Sequence, residues 1–394
     1  MYKEIARPLM KKIYYLLLET ILRIISCLFI WRNIKRFNPD RVSKILLIKI
    51  ERIGDLVLST PAIREVRNNF PHSKISLIVN SYTKPVIENA PYIDDIFEYD
   101  KKTSFKEKLK FIRLLRLRNF DLAIDLTTRN FMFTPVWIIA FSRSKVTLGL
   151  NNYGRAFLYN IKVKPYPVIE SYPKEVMHIL EPLGIKSNDY KPKLFISKEN
   201  EEFIRSFFIE KDIDDSVLRV VIHPGGYYKA QQWKDKNYAM VSEHIINNYK
   251  AVIFFIGMER EYPLVEKIIS SINSRIKPFN LSGKLSLGQS MALIAKVDLF
   301  IGNSSGPLHI ACGFGVPTIS FLSPDIPERC YPGVPDGKSG NLKLSVGCIY
   351  CGHKKECWAD ANQGQGIRVF QYANGKRFMV QVGKEPDVPE IALS

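Results

Sequence analysis

The sequence predicts an α/β protein with two domains, each built around a parallel sheet. Its 394 residues exceed what one ordinary core accommodates, so two domains of about 150–200 residues are expected. Short apolar segments alternate with helical ones in both halves, which is typical of parallel strands joined by helices. Small-residue loops follow several of the apolar segments. Contents of 46% hydrophobic and 24% charged residues are those of a folded globular protein.

These patterns divide the chain into four segments. The polar, proline-containing stretch 187–193 is the candidate linker between the two domains. The segments are an amphipathic basic N-terminal segment (1–43), a first Rossmann-like domain (44–188), a second one (189–360) and a C-terminal tail (361–394).

The N-terminal segment carries much of the formal net charge of +18. Residues 13–31 are nearly all apolar, but Glu19 and Arg23 interrupt them. Each charge at a bilayer centre costs roughly 2.5–3.5 kcal/mol, which disfavours a spanning helix. No small-residue cleavage site follows, which disfavours a signal peptide. We expect an amphipathic helix lying on an anionic membrane surface; a helix packed on the protein's own core or on a partner is the alternative.

Asp55 is the most informative residue of the first domain. It follows the apolar stretch 44–50, predicted as a buried strand, and precedes a helix predicted over 56–70. Further strands are predicted at 75–79 and 121–126. The carboxyl ends of strands are the edge at which open α/β sheets bind ligands, so Asp55 is a candidate functional carboxylate. A helix N-cap is the alternative role.

Residues 101–118 predict a strongly basic helix. They contain eight Lys or Arg and one Glu. Leu109, Ile112 and Leu115 recur at helical spacing and are predicted to form its buried side. The basic residues could hold an anionic ligand, although a solvated face accounts for most of them.

The stretch 301–317, I-G-N-S-S-G-P-L-H-I-A-C-G-F-G-V-P, organises the second domain. It follows a strand predicted at 297–301, and the polar loop 302–306 leads to a helix that begins near Pro307. The first N–H groups of a helix and its dipole attract anions. His309 is one turn inside, where it could reach a diphosphate. An ordinary turn between a strand and a helix is the alternative.

Seven motifs in order along the chain carry a resemblance to a known family. They are ILLIKIERIGDLVLSTPAIREVRNNFP (45–71), FDLAIDL (120–126), HILEPLGI (178–185), VVIHPGG (220–226), FFIGMERE (254–261), NLSGKLSL (280–287) and IGNSSGPLHIACGFGVPTISFLSP (301–324). The chain resembles glycosyltransferase family 9, the family of the lipopolysaccharide core heptosyltransferases. The resemblance spans roughly residues 44–360.

The resemblance implies a GT-B fold, in which two Rossmann-like domains face a central cleft. It also implies an inverting, metal-independent glycosyltransferase without a cofactor, which uses a nucleotide-diphosphate sugar, with ADP-heptose as the best choice. The acceptor would be a lipopolysaccharide-core or related lipid-linked saccharide. Such an enzyme would be cytoplasmic and peripheral on the inner face of the cytoplasmic membrane, in contact with its anionic surface.

The resemblance also implies site residues. Asp55 matches the family's G-D motif and would be the catalytic base. The implied donor-binding residues are His223, Gly225, Lys229, Lys234, Gly257, Asn303, Ser304, Ser305, Gly306 and His309. The implied acceptor-binding residues are Arg52, Thr60 and Arg129.

Two departures from the family pattern support an alternative function. Ser304 stands where the family usually has aspartate, and Gln231 stands where it commonly has lysine. A catalytically impaired nucleotide-sugar-binding or scaffolding homologue is therefore the alternative. The net charge alone would suit a nucleic-acid-binding protein, but no such module is recognisable. No G-x-G-x-x-G follows the early strands, which disfavours a nicotinamide dehydrogenase.

The C-terminal part adds two further predictions. Cys348, Cys351 and Cys357, with His353 between them, could ligate zinc, but half of the usual ligand spacing is missing, so no metal is expected. A hairpin is predicted around residues 373–375.

Overall fold

A computed structural model describes most of the chain. The described residues are 39–128, 133–152, 155–166, 170–226 and 232–322, with the backbone of 339–343, 367–373, 376–382 and 390–393. They group into two compact units. Unit 1 comprises the described residues of Met1–Arg52, Ser59–Lys84 and Ala90–Tyr190. Unit 2 comprises those of Ile53–Leu58, Pro85–Asn89 and Lys191–Ser394.

The sheet of unit 1 has six parallel strands. They are β1 (Lys44–Lys49), β2 (Lys74–Val79), β3 (Asp95–Glu98), β4 (Leu122–Asp125), β5 (Val146–Leu150) and β6 (Ile161–Val163). Their order is β3-β2-β1-β4-β5-β6, and Ile45 pairs with both Ile75 and Leu122. This is the Rossmann order, whose direction reverses between β1 and β4. The strands predicted at 44–50, 75–79 and 121–126 are confirmed.

The sheet of unit 2 repeats this arrangement. Its strands are β7 (Leu218–His223), β8 (Ala251–Phe255), β9 (Phe279–Asn280), β10 (Leu299–Asn303), β11 (Thr318–Leu322) and β12 (Ser339–Lys343). All are parallel, in the order β12-β11-β10-β7-β8-β9, so the order reverses between β7 and β10. The predicted strand 297–301 lies two residues early, because Gly302 and Asn303 still pair with β11.

Helices connect the strands in both units. They are α1 (Ile53–Val57), α2 (Thr60–Asn69), α3 (Phe105–Arg118), α4 (Thr134–Ser142), α5 (Tyr172–His178), α6 (Lys198–Glu210), α7 (Asp235–Asn248), α8 (Tyr262–Ser270), α9 (Leu287–Ala295) and α10 (Gly306–Gly313). The single helix predicted over 56–70 is instead α1 followed by α2. Pro61 in the first turn of α2 accounts for the division, because proline favours a helix start and lacks an N–H for a continuing helix.

The basic helix α3 begins later than predicted, and its buried side is different. Ser104 caps it by accepting a hydrogen bond from the Glu107 N–H, and the Glu107 carboxylate accepts one from the Ser104 N–H. Leu115 is fully buried in the core against α4, whereas Leu109 is 55% exposed. The prediction for Leu109 was wrong because the buried stripe is centred on Phe111 and Leu115, and Leu109 lies well to one side of it.

The C-terminal part forms an antiparallel sheet. Its strands are β13 (Ile367–Ala373), β14 (Lys376–Val382) and β15 (Glu390–Leu393). Ala373 pairs with Lys376, which confirms the predicted hairpin. The predicted N-terminal helix and the cysteine cluster lie outside the described residues. In the described part of the chain, no helix combines the length and hydropathy needed to cross a bilayer.

Candidate functional site

The candidate site lies where the strand order of unit 2 reverses. β7 ends at His223 and β10 ends at Asn303, and the two strands are parallel neighbours with Gly302 paired to His223. Ligands of open α/β sheets bind beyond the carboxyl ends of strands at such a reversal. The loops that follow these two strands therefore form the candidate binding site.

Asn303 organises these loops. Its Oδ1 accepts hydrogen bonds from the Trp233 N–H and the Tyr238 hydroxyl, both at 3.0 Å. Its Nδ2 donates to the carbonyls of Pro224 (2.8 Å) and Gly225 (3.0 Å). The side chain is fully buried, and these four bonds use its whole hydrogen-bonding capacity. Asn303 therefore holds the loops after β7 and before α7, which differs from its predicted contact with a donor.

A second polar group connects His223, Ser305 and Glu261. Ser305 Oγ lies 3.1 Å from His223 Nδ1, and His223 Nε2 lies 3.6 Å from Glu261 Oε2. The same carboxylate oxygen accepts a hydrogen bond from the Met258 N–H at 2.8 Å. Burial alone would raise the pKa of Glu261, but the contacts with His223 and Met258 and the charge of Arg260 outweigh it and lower that pKa. Glu261 therefore remains a carboxylate beside His223.

The predicted glycines Gly225 and Gly257 make room for this carboxylate. A Cβ at Gly225 would lie 2.2 Å from Glu261 Oε1, and one at Gly257 would lie 2.7 Å from Glu261 Oε2. Sequence analysis did not single out Glu261. Its signal was the spacing: an acidic residue four positions after a glycine at the end of a buried strand.

The predicted anion site is the start of α10. Ser305 occupies the N-cap position, Gly306 is the first helical residue and Pro307 is in the first turn, as predicted. Residues 304–307 are all partly exposed. The first N–H groups of a helix have no intrahelical partner and carry the positive end of its dipole, so this loop can bind an anion through its backbone. Lys234, at the N-cap of α7, is exposed to solvent.

Helix α1 packs against α10 through two glycines. A Cβ at Gly54 would lie 2.5 Å from Cδ2 of His309, and one at Gly306 would lie 3.1 Å from Cβ of Ile53. Larger residues at either position would push the two helices apart. This close approach explains why α1, although it follows β1 in sequence, groups with unit 2. The G-D motif and the G-N-S-S-G-P loop therefore belong to one site.

His309 is a neutral group in this site. Its ring is buried against Gly54, and in the described structure its Nδ1 has no hydrogen-bond partner. Burial lowers the pKa of His309 to about 4, and the negative charge of Asp55 opposes that shift only partly. His309 was predicted to reach a diphosphate. The neutral ring would bring no positive charge to such a contact. It packs directly against Gly54, so a Cβ added to Gly54 would collide with it.

Asp55 lies in the first turn of α1 and is partly exposed. Its carboxylate is close enough to His309 to act on that residue's pKa. Because His309 is neutral, the carboxylate is not neutralised by a buried imidazolium. A partly exposed carboxylate beside a backbone anion site can accept a proton from a hydroxyl group.

The corresponding reversal in unit 1 is filled by buried ionic groups. Lys49, at the end of β1, forms an ion pair with Glu51, and it donates to the Leu126 carbonyl (2.8 Å) and the Tyr172 hydroxyl (2.9 Å). Both charged side chains are fully buried. A lysine within the apolar run I-L-L-I-K-I was the sequence signal for such a buried pair.

Asp125, at the end of β4, belongs to a second buried group. It forms an ion pair with Arg155, accepts a hydrogen bond from the Tyr159 hydroxyl at 2.6 Å and one from the Thr127 N–H at 2.9 Å. Arg155 also donates to the Thr127 carbonyl at 3.0 Å. Burial would lower the pKa of Arg155, but the charge of Asp125 outweighs it and raises that pKa. These contacts fix the loop after β4.

The predicted acceptor residues have different positions. Thr60 begins α2 and is fully buried, so its side chain cannot meet a ligand in this structure, contrary to the prediction. Arg52, between β1 and α1, is partly exposed. Arg129, Lys229 and Gln231 lie outside the described residues.

Comparisons with known proteins identify the family of this chain. The family model of glycosyltransferase family 9 (heptosyltransferase) matches residues 108–354, well over half of the chain. A lipopolysaccharide core heptosyltransferase, OpsX of Haemophilus influenzae, is 26% identical over 292 residues, which cover 73% of this chain and 80% of that protein. Lipopolysaccharide heptosyltransferase 3 of Escherichia coli is 25% identical over 287 residues, covering 68% and 79%.

Solved structures share the fold. A glycosyltransferase family 9 protein from Veillonella parvula superposes with a TM-score of 0.69 at 21% identity, covering 77% of this chain and 86% of that one. The ADP-heptose lipopolysaccharide heptosyltransferase II of E. coli gives 0.65 at 18% identity, covering 81% and 97%. The fold is thus of the GT-B type, with two Rossmann-like sheets. The chain belongs to glycosyltransferase family 9, the heptosyltransferase family, and is a glycosyltransferase.

Proposed function

We propose that this enzyme transfers heptose from ADP-heptose to a lipopolysaccharide-core or related lipid-linked saccharide, with inversion and without a metal. The names of the relatives support this choice of donor and acceptor. One observation of the structure supports the chemistry most directly. The helix that carries Asp55 packs through Gly54 on α10, whose first turn offers the backbone anion site.

The proposed mechanism assigns one task to each side of this contact. Inversion requires a single in-line displacement at the anomeric carbon, so the acceptor hydroxyl loses its proton as the nucleotide diphosphate leaves. Asp55 accepts that proton, and general-base help of this kind contributes about 10²–10⁴-fold in rate. The N–H groups at the start of α10 stabilise the departing diphosphate, and Lys234 adds positive charge.

The neutral state of His309 supports the role proposed for Asp55. A protonated histidine beside Asp55 would pair with the carboxylate and make it a weaker base. Burial keeps the imidazole neutral, so His309 does not form an ion pair with Asp55.

The substitution at Ser304 does not favour the impaired homologue. The anion site of α10 consists of backbone N–H groups, which do not depend on the side chain at that position. We therefore expect turnover, with Ser304 and Gln231 acting on the choice of donor. We also propose that the enzyme works at the inner face of the cytoplasmic membrane as a peripheral protein, as the net charge of +18 supports.

The replacement Asp55→Asn tests the mechanism. We expect kcat with ADP-heptose and a lipopolysaccharide-core acceptor to fall at least about 10³-fold, because the amide cannot take the proton. Nucleotide affinity, measured by calorimetry with ADP, should change less than about threefold, since the anion site is intact. Asp212→Asn is the control: Asp212 is exposed in unit 2, and its φ of 52° suits asparagine.

Two outcomes would contradict the proposal. Full turnover by the Asp55→Asn variant would remove Asp55 from the mechanism. A thermal shift with GDP or UDP, but none with ADP, would leave the assignment as a transferase unchanged but would contradict ADP-heptose as the donor. A ligand at about 100 times its Kd adds about 2.7 kcal/mol of stability, so these shifts are measurable without added metal.

A further inference from the structure

The outer face of α3 exposes apolar and basic side chains together. Its apolar members are Phe105 (76% exposed), Leu109 (55%), Leu114 (41%) and Leu117 (72%). Its basic members are Lys106, Lys110, Arg113 and Arg116, all exposed. Monomeric proteins tolerate single exposed leucines, but four large apolar residues on the exposed half of one helix, interspersed with basic ones, are unusual and indicate a contact surface.

The charge of this face is almost entirely positive. Glu107 is the acidic residue of α3, and it is engaged in the capping box with Ser104. On a helical projection, Arg113 and Lys106 lie between Leu109 and Leu117, and Lys110 lies between Leu117 and Leu114. Long basic side chains can extend past neighbouring apolar residues and keep their charges in a polar layer.

Aromatic residues of α4 extend the same surface. Trp137 and Phe141 stack with ring centroids 5.8 Å apart and are 36% and 39% exposed. Arg116 of α3 donates a hydrogen bond from Nε to the Phe141 carbonyl at 2.7 Å, which ties this pair to the outer face of α3. A tryptophan that is apolar on one side and exposed to water on the other is characteristic of the boundary between water and lipid.

We propose that the outer face of α3, together with Trp137 and Phe141, binds the surface of an anionic lipid bilayer. The apolar side chains would enter the acyl boundary while the lysines and arginines contact the headgroups. A nucleic acid would use the positive charges but would leave the phenylalanine and leucines against its phosphates. The combination of charge and apolar exposure therefore favours lipid. None of these residues belongs to the proposed transfer site, so the inference is independent of the donor and of turnover.

Flotation of the full-length protein with vesicles tests the proposal. One variant removes the apolar contacts by Phe105→Ser, Leu109→Ser and Leu117→Ser. A second removes charges by Lys106→Gln, Lys110→Gln and Arg113→Gln. The matched controls are in unit 2: Ile209→Ser with Ile276→Ser for the apolar set, and Lys198→Gln, Lys236→Gln and Lys296→Gln for the charges. All replaced side chains are exposed, so the fold should be retained, and circular dichroism checks this.

We expect the wild type to float with vesicles containing 30 mol% anionic phospholipid, roughly the anionic content that attracts basic segments, and not with purely zwitterionic ones. Each α3 variant should lower the partition coefficient at least about tenfold, and the controls less than about twofold. Turnover on a delipidated, water-soluble acceptor should be unchanged in both α3 variants, which separates lipid binding from transfer.

Three results would overturn the proposal. The first is a wild-type protein that stays in the soluble fraction when mixed with anionic vesicles at low salt. Unchanged flotation of both α3 variants would assign any lipid binding to another part of the chain. Loss of binding in the charge variant alone, with equal loss of binding to a single-stranded oligonucleotide, would indicate a general polyanion surface that does not enter lipid.

Discussion

The two sheets share one strand order but use its reversal point differently. In unit 1 the strands on either side of the reversal end in Lys49 and Asp125, both fully buried in ion pairs. In unit 2 they end in His223 and Asn303, followed by the partly exposed turn at residues 304–307. A reversal in a Rossmann sheet therefore does not by itself make a binding site. In unit 1 both strand ends are themselves held in buried ion pairs, whereas in unit 2 the strand ends position a partly exposed helix start that can hold an anion.

The largest expected effect is on the stability of unit 1. Arg155→Met should reduce the free energy of unfolding by about 3–5 kcal/mol, because it leaves the Asp125 carboxylate buried without its cation. Urea unfolding followed by tryptophan fluorescence measures this. The pair Arg155→Met with Asp125→Asn should recover at least half of the loss. A loss below about 1 kcal/mol in the single variant would show that the buried pair is not what distinguishes unit 1.

The next effect concerns acid stability in unit 2. The folded-state pKa of His309 is about 4, below the unfolded value near 6.5. The unfolded state alone binds this proton between those values, so the folded state loses up to ~3 kcal/mol as the pH falls from 6.5 to 4. His309→Gln should flatten this part of the stability profile. His72→Gln, at an exposed position, should retain the wild-type slope, and an equal slope in all three proteins would contradict a buried neutral His309.

Gly54→Ala tests the close approach of α1 and α10. A Cβ 2.5 Å from the His309 ring must displace one helix, and a displacement of about 1 Å at a reacting group costs around 10²-fold in rate. We expect kcat to fall by that factor while ADP affinity changes less. His309→Ala should restore part of the rate when combined with Gly54→Ala, because it removes the opposing ring. A Gly54→Ala enzyme with wild-type kcat would contradict the role of this contact.

The smallest effect is expected from Glu261→Gln. The amide retains the size of the side chain but loses the charge beside His223, so Ser305 should be held less firmly at the start of α10. We expect the donor KM to rise about tenfold with little change in kcat. Glu259→Gln, two residues away and exposed, is the control. The stability that the low pKa of Glu261 contributes is present above the unfolded value and is lost as the pH falls through the folded one.

The sequence predicted β1, β2, β4 and, two residues early, β10, as well as the C-terminal hairpin and the start of α10, because apolar runs, a turn dipeptide and a proline act locally. It did not predict that the G-D motif packs on α10, since that depends on Gly54 and Gly306, which are about 250 residues apart. It assigned Asn303 to a ligand because a polar residue after a strand has the same pattern whether it binds the protein or a substrate. The burial of Thr60, a predicted acceptor residue, was also not predicted, because burial is decided by tertiary packing.

The membership of Ile53–Leu58 in unit 2 has a consequence for dividing the protein into pieces. A recombinant fragment that begins at the apparent linker would lack α1, and Gly306 and His309 would then face solvent where Ile53 and Gly54 now pack. Such a fragment would not be a faithful nucleotide-binding module, even though it contains the whole second sheet. A permuted gene would have to join residues 53–58 and 85–89 to the second half to include all of unit 2.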